Sequence, residues 1–156
     1  MLKNTAERLI ELLATKKINL AVAESCTGGL IASSIISNPG ASTVFEEGCV
    51  TYSNEAKIRR LGVREETLSK FGAVSEETAI EMAEGMARTS GTDASIAVTG
   101  IAGPGGGTAE KPVGLVWIAA FCKGHLSTCR LILSGGRDEV RAGAAEAAMR
   151  LLIEML

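Results

Sequence analysis

Apolar residues recur along this chain with two different periods, and the switching between them predicts most of its elements. Leu2, Ala6, Leu9, Ile10 and Leu13 fall at helical spacing, with Lys3, Glu7, Arg8 and Glu11 on the opposite side, which predicts an amphipathic helix over 2–16. The unbroken run from Ile18 to Ala23 predicts a buried strand, and Leu30, Ile31 and Ser34 predict a helix after the bend that follows. Residues 37–43 carry turn chemistry, and Cys49 to Tyr52 reads as the end of a second strand. Asn54 is placed as a helix N-cap with Glu55 in the first turn. Ser75 caps a further helix, in which Glu76 and Glu77 complement the dipole and Ala79, Ala83, Met86 and Ala87 form the buried face.

Ala94 to Thr99 predicts a third strand. Val113 to Phe121 and Leu126 to Leu133 predict two more, joined as a hairpin at Lys123-Gly124. Val140, Ala144, Ala147, Ala148, Leu151 and Met155 mark a long C-terminal helix. Neither a repeat nor a linker interrupts this alternation. It predicts one α/β domain over residues 1–156, three α/β/α layers around a sheet made mixed by the hairpin.

Composition narrows the classes of function. With 156 residues the chain can bury a core without disulfides or metals; hydrophobic residues are 46% and aromatics 3%, so aliphatic side chains must fill it. A net charge of −2 and the lack of a basic, aromatic-interleaved patch argue against nucleic-acid binding. Apolar runs fall well short of the roughly 20 residues that span a bilayer, and the N-terminus shows no signal-peptide core, so a cytoplasmic location is expected. Four cysteines without a C-x-x-C pair and a single histidine, His125, make a zinc site improbable and point to reduced thiols. The alanine-rich helix faces suggest a homodimer.

Glycine is the exception to this even picture: 18 residues, clustered in bends that follow predicted strands or precede helices. Ligands of open α/β sheets gather beyond the carboxyl ends of strands, so these bends are expected to converge. In Ser25-Cys26-Thr27-Gly28-Gly29, a hydroxyl sits at a strand-to-helix turn whose free N–H groups could hold an oxyanion. Ser25 or Thr27 could equally just cap the helix, and Cys26 is a rival nucleophile if the helix N-terminus lowers its pKa. Tyr52, the single tyrosine, precedes Lys57, which would lie in the first turns of a helix; there the dipole would depress its pKa and suit it as a base, unless it is a solvated surface lysine. His125 falls in the predicted hairpin turn, so a Ser-His-Asp triad is hard to assemble and Ser-Lys is the variant left open.

The glycine loop 100–107 is not a Walker A motif and is followed by Lys111-Pro112 and a strand, not a helix. It could offer backbone N–H groups to a phosphate or serve as a plain connection. Arg137, after Gly135-Gly136 at the start of the last helix, is misplaced against the dipole; it could face an anion there or be neutralised by Asp138 and Glu139.

Taken together, Ala23-Glu24-Ser25-Cys26-Thr27-Gly28-Gly29, Thr51-Tyr52-Ser53-Asn54-Glu55-Ala56-Lys57, Gly72-Ala73-Val74-Ser75, Val98 to Gly106 and Lys111-Pro112-Val113-Gly114 resemble the CinA C-terminal domain family. The motifs fall in the family's order and cover nearly the whole chain. The resemblance implies hydrolysis of the carboxamide of nicotinamide mononucleotide to nicotinic acid mononucleotide and ammonia, without metal or cofactor. It implies Ser25 as nucleophile, Lys57 as its base, Tyr52 and Thr99 lining the site, and Arg137 at the phosphate. Thr27, Gly28, Gly29, Gly100, Gly103, Gly105 and Gly106 complete the expected substrate-binding set. Near Arg137 the chain reads Ser134-Gly135-Gly136-Arg137-Asp138, where the family more usually has an aromatic and Gly-Asp-Arg. Nothing in these residues corresponds to the molybdopterin-binding-like domain of larger members, so no pyrophosphatase activity is expected. A non-catalytic nucleotide-binding module would keep the glycine loop and Arg137 yet need neither Ser25 nor Lys57 activated, and a hydrolase of another amide would differ in substrate profile.

Overall fold

Alternate residues of Leu20–Glu24 and Ala94–Gly100 point to opposite sides of one sheet, and both sides are buried. A computed structural model describes all of residues 1–156. Its strands are β1 (Leu20–Glu24), β2 (Phe45–Val50), β3 (Ala94–Gly100), β4 (Leu115–Cys122) and β5 (His125–Ile132), in the order β2-β1-β3-β4-β5. β1 pairs in parallel with β2 and β3, while β3–β4 and β4–β5 are antiparallel. The mixed sheet is therefore as expected, with parallel pairing where helices cross over and antiparallel pairing in the hairpin.

On one face, α1 (Leu2–Lys16), α2 (Leu30–Ile36) and α6 (Arg137–Met155) cover large aliphatic residues, among them Val22, Ile96, Val98 and Ile118. On the other, the sheet presents the alanines Ala21, Ala23, Ala97 and Ala119 to α3 (Asn54–Leu61), α4 (Glu65–Phe71) and α5 (Glu76–Ser90). Small residues let α5 lie close to the sheet, and Leu61, Met82 and Met86 fill the space above them. The alanine stripes of α5 and α6 are spent inside the molecule: Ala79, Ala83, Ala144, Ala145 and Ala148 are wholly buried. Ala142, Gly143 and Ala147 of α6 stay partly exposed beside them.

Several boundaries differ from expectation, each for a local reason. The N-cap of α3 is Ser53, not Asn54: its hydroxyl accepts the Ala56 N–H at 3.1 Å, and Asn54 is already helical. β2 ends at Val50, and Thr51 keeps one bond to the sheet (N–H to Glu24 O, 2.9 Å) before the chain turns into that cap. α4 has no counterpart in the pattern because seven residues with only Thr67 and Leu68 buried make no periodic signal. A 3₁₀ turn, Ala41–Thr43, lies in the predicted 37–43 turn. His125 opens β5 opposite Cys122, and Lys123-Gly124 alone forms the turn; φ of 47° and 86° there match a two-residue type I′ hairpin. No helix is long and apolar enough to cross a membrane.

Candidate active site

β1, β2 and β3 run in parallel, so the segments leaving their carboxyl ends meet at one edge of the sheet. Ser25 follows β1 directly, Thr51 and Tyr52 follow β2, and Thr99 and Gly100 close β3. Ser25, Cys26, Tyr52, Lys57, Thr99 and Gly100 line one cavity there, with Ala73 and Val74 from the α4–α5 connection, Ala102, and Arg137 from α6. The three bends do converge.

At its floor, Lys57 Nζ lies 3.1 Å from Ser25 Oγ, 2.8 Å from Thr51 O and 3.2 Å from Tyr52 O. Lys57 is 1% exposed and all three partners are uncharged. Burial pushes its pKa below the usual lysine range, opposed only by a weaker interaction with Cys26. Desolvation is the leading cause. A neutral amine has two N–H donors and one lone pair. The two carbonyls take the donors, which leaves the lone pair for the Ser25 hydroxyl proton. That is the arrangement a general base requires.

Ser25 does not cap α2. Its own N–H donates to Val98 O at 3.0 Å, which holds the start of the bend against β3. The N-cap of α2 is Gly29, without a side-chain cap. Glu24 does the capping instead: its buried carboxylate accepts from Ile31 N (2.9 Å) and Ala32 N (3.1 Å). Glu24 was not singled out from the sequence; a carboxylate ending an apolar strand six or seven residues ahead of a helix is the signal that could have found it. The N–H groups of Cys26 and Thr27, next to Ser25, donate to no backbone carbonyl in the fold.

Cys26 is ill suited to be the rival nucleophile, since burial raises its thiol to about 11. Tyr52 contributes its carbonyl to Lys57, while its side chain, 64% exposed, stands at the rim. Thr99 donates its hydroxyl to Ala73 O at 2.8 Å, tying β3 to the α4–α5 connection and leaving its lone pairs toward the cavity. Arg137 is exposed and donates to Gly103 O at 2.7 Å. Asp138 and Glu139 do not pair with it; Asp138 lies 3.8 Å from Arg141 instead.

Part of the expected substrate-binding set lies outside the cavity lining. Thr27 is wholly buried with no partner for its hydroxyl, and Gly28 and Gly29 shape the bend behind Ser25. The glycine loop lines the cavity with Gly100 and Ala102; Gly103 meets it through Arg137, and Gly105 and Gly106 are exposed beyond it. His125 is exposed on β5, away from this edge of the sheet. No group of three His, Cys, Asp or Glu residues is placed to hold a metal ion.

A family model described as the CinA C-terminal domain matches residues 2–156. A CinA-like protein of Kosmotoga olearia is 54% identical over 143 residues, which are 92% of this chain and 35% of that protein. The chain thus spans about a third of the length of the curated relatives it matches. Among solved structures, the competence/damage inducible protein CihA of Agrobacterium tumefaciens superposes with a TM-score of 0.96 at 44% identity, over 98% of this chain and 94% of that one. A CinA superfamily protein of Escherichia coli gives 0.97 at 35% identity, over 100% and 91%.

Proposed function

The chain belongs to the CinA C-terminal domain family, and from that premise we propose that it is an amidohydrolase that converts nicotinamide mononucleotide to nicotinic acid mononucleotide and ammonia. The observation that carries the reading is the buried Ser25–Lys57 pair at 3.1 Å, with both remaining donors of the amine held by carbonyls. Lys57 Nζ takes the Ser25 proton as Oγ attacks the carboxamide carbon. The N–H groups of Cys26 and Thr27 receive the negative charge that develops on the amide oxygen. Lys57 then returns the proton to the departing nitrogen, ammonia leaves, and an acyl-Ser25 ester remains. Water, deprotonated by the same amine, attacks the ester and releases the carboxylate and the free serine.

The substrate chemistry suits this machinery. A pyridinium ring withdraws electrons from its carboxamide and eases attack by a neutral alcohol. Arg137 lines the cavity, is exposed and is paired with no carboxylate, which supports its meeting the phosphate. Tyr52 is free to cover the ring from the rim.

Ammonia release from nicotinamide mononucleotide, measured without added metal, tests the reading. Wild-type turnover is expected, falling by about 10³-fold or more in Ser25→Ala. A folded wild type that binds the nucleotide without releasing ammonia would instead make this a non-catalytic binding module. Undiminished turnover in Ser25→Ala would move the attack to water.

A further inference from the structure

Two peptide units carry the free N–H groups beside Ser25, and each is oriented through its own carbonyl. In a trans peptide the C=O and N–H point in opposite directions, so fixing one fixes the other. The Cys26 N–H shares a peptide with the Ser25 carbonyl, which accepts the Gly28 N–H at 3.1 Å within the bend itself. The Thr27 N–H shares a peptide with the Cys26 carbonyl, and that carbonyl accepts from Arg141 Nε at 3.1 Å. No other hydrogen bond holds this second peptide. Arg141 Nη2 also donates to Thr27 O at 2.9 Å, so the planar fork grips two successive carbonyls from α6.

We propose that Arg141 is a positioning residue that orients the Thr27 N–H toward the oxyanion formed at Ser25; this rests on the amidohydrolase reading above. Gly28 is part of the same device. At φ +59° it turns the bend, and a Cβ there would lie 3.2 Å from Arg141 Nη2, so glycine leaves the space the guanidinium occupies. The hydrogen bonds of Arg141 go to the backbone; its nearest carboxylate, Asp138, is 3.8 Å away and 94% exposed. Arg141 also lies one helical turn after Arg137, which grips Gly103 O, so a single face of α6 ties down both bends of the site.

Steady-state kinetics of wild type, Arg141→Lys and Arg141→Ala test the assignment. Arg141→Ala is expected to lower kcat by about 10²-fold, the scale of losing one oxyanion donor, with KM within about threefold of wild type. Arg141→Lys keeps the charge but lacks the fork, and kcat is expected to fall about tenfold. Millimolar guanidinium should restore part of kcat in Arg141→Ala and none in Lys57→Met. Binding of nicotinic acid mononucleotide by calorimetry confirms that each variant is folded, and Arg141→Lys carries the test if Arg141→Ala is not. Unchanged kcat, or a loss confined to KM, overturns the positioning role while the amidohydrolase reading stands. A wild type without turnover overturns both.

Discussion

Lys57 shows what a single side chain gains from its surroundings. Its pKa is lowered by burial, so between that value and the ordinary lysine value of 10.5 the unfolded chain binds a proton that the native protein does not. Native stability contributed by this group therefore rises with pH across that window; below it the charged amine is buried at a cost, and above it both states are neutral. Cys26 acts in the opposite sense between 9.0 and about 11, where the unfolded thiol ionises first and stability falls. Lys57→Met keeps Cys26 and removes only its weak interaction with the lysine, so the difference between the two proteins reports mainly the lysine. Urea unfolding from pH 7 to 10.5 is expected to show wild type gaining on Lys57→Met as pH rises, and kcat of wild type should climb with pH as the base becomes neutral. A pH-independent difference would mean that the lysine is not desolvated. The sequence already marked Lys57 as a base with a lowered pKa, but not the burial that lowers it: a lysine is ordinarily a solvated surface residue until α5 and the sheet are in place around it. Arg141 went unnoticed because it acts on backbone atoms of a segment more than a hundred residues away, which sequence spacing does not connect to it.

At the scale of elements, the long periodic segments were readable and the short ones were not. α1, α5 and α6 are four or more turns long and repeat their apolar positions along them, whereas α4 has seven residues and one buried leucine. The start of α3 was readable near Asn54, but its packing was not, because that depends on an approach between helices. A Cβ at Gly85 of α5 would lie 1.9 Å from Leu61 O at the end of α3, so only glycine allows the two helices this contact. Lys57 rides on α3, and its reach to Ser25 depends on that separation. Gly85→Ala is therefore expected to push α3 outward, lowering stability by about 1–3 kcal/mol as overpacking does. It should also lower kcat, although Gly85 lies nowhere near the cavity. Chemical denaturation and kinetics on the same sample check this; full activity with lost stability would show that α3 shifts without carrying Lys57 away.

For the whole molecule, the fold class could be read from alternating periods because each element buries one face against a single sheet. That same sheet makes the two cores interdependent. β1, β3 and β4 send Val22, Ile96 and Ile118 into the core under α1, α2 and α6, and Ala21, Ala97 and Ala119 into the core under α3 and α5. The site also draws on both layers, with Lys57 held by α3 on one side and the Ser25 bend held by α2 and α6 on the other. Stripping either helical layer would expose the strands that support the other, so the layers should not unfold separately. Trp117, the only tryptophan, packs against the α3–α5 core, while α1 and α6 supply most of the helix on the opposite face. In urea, tryptophan fluorescence, far-ultraviolet circular dichroism and residual ammonia release are expected to share one midpoint, as a two-state transition requires. Fluorescence changing before the helical signal would show that the α3–α5 layer detaches first. Activity would then disappear with it, because Lys57 would leave while the Ser25 bend stayed in place.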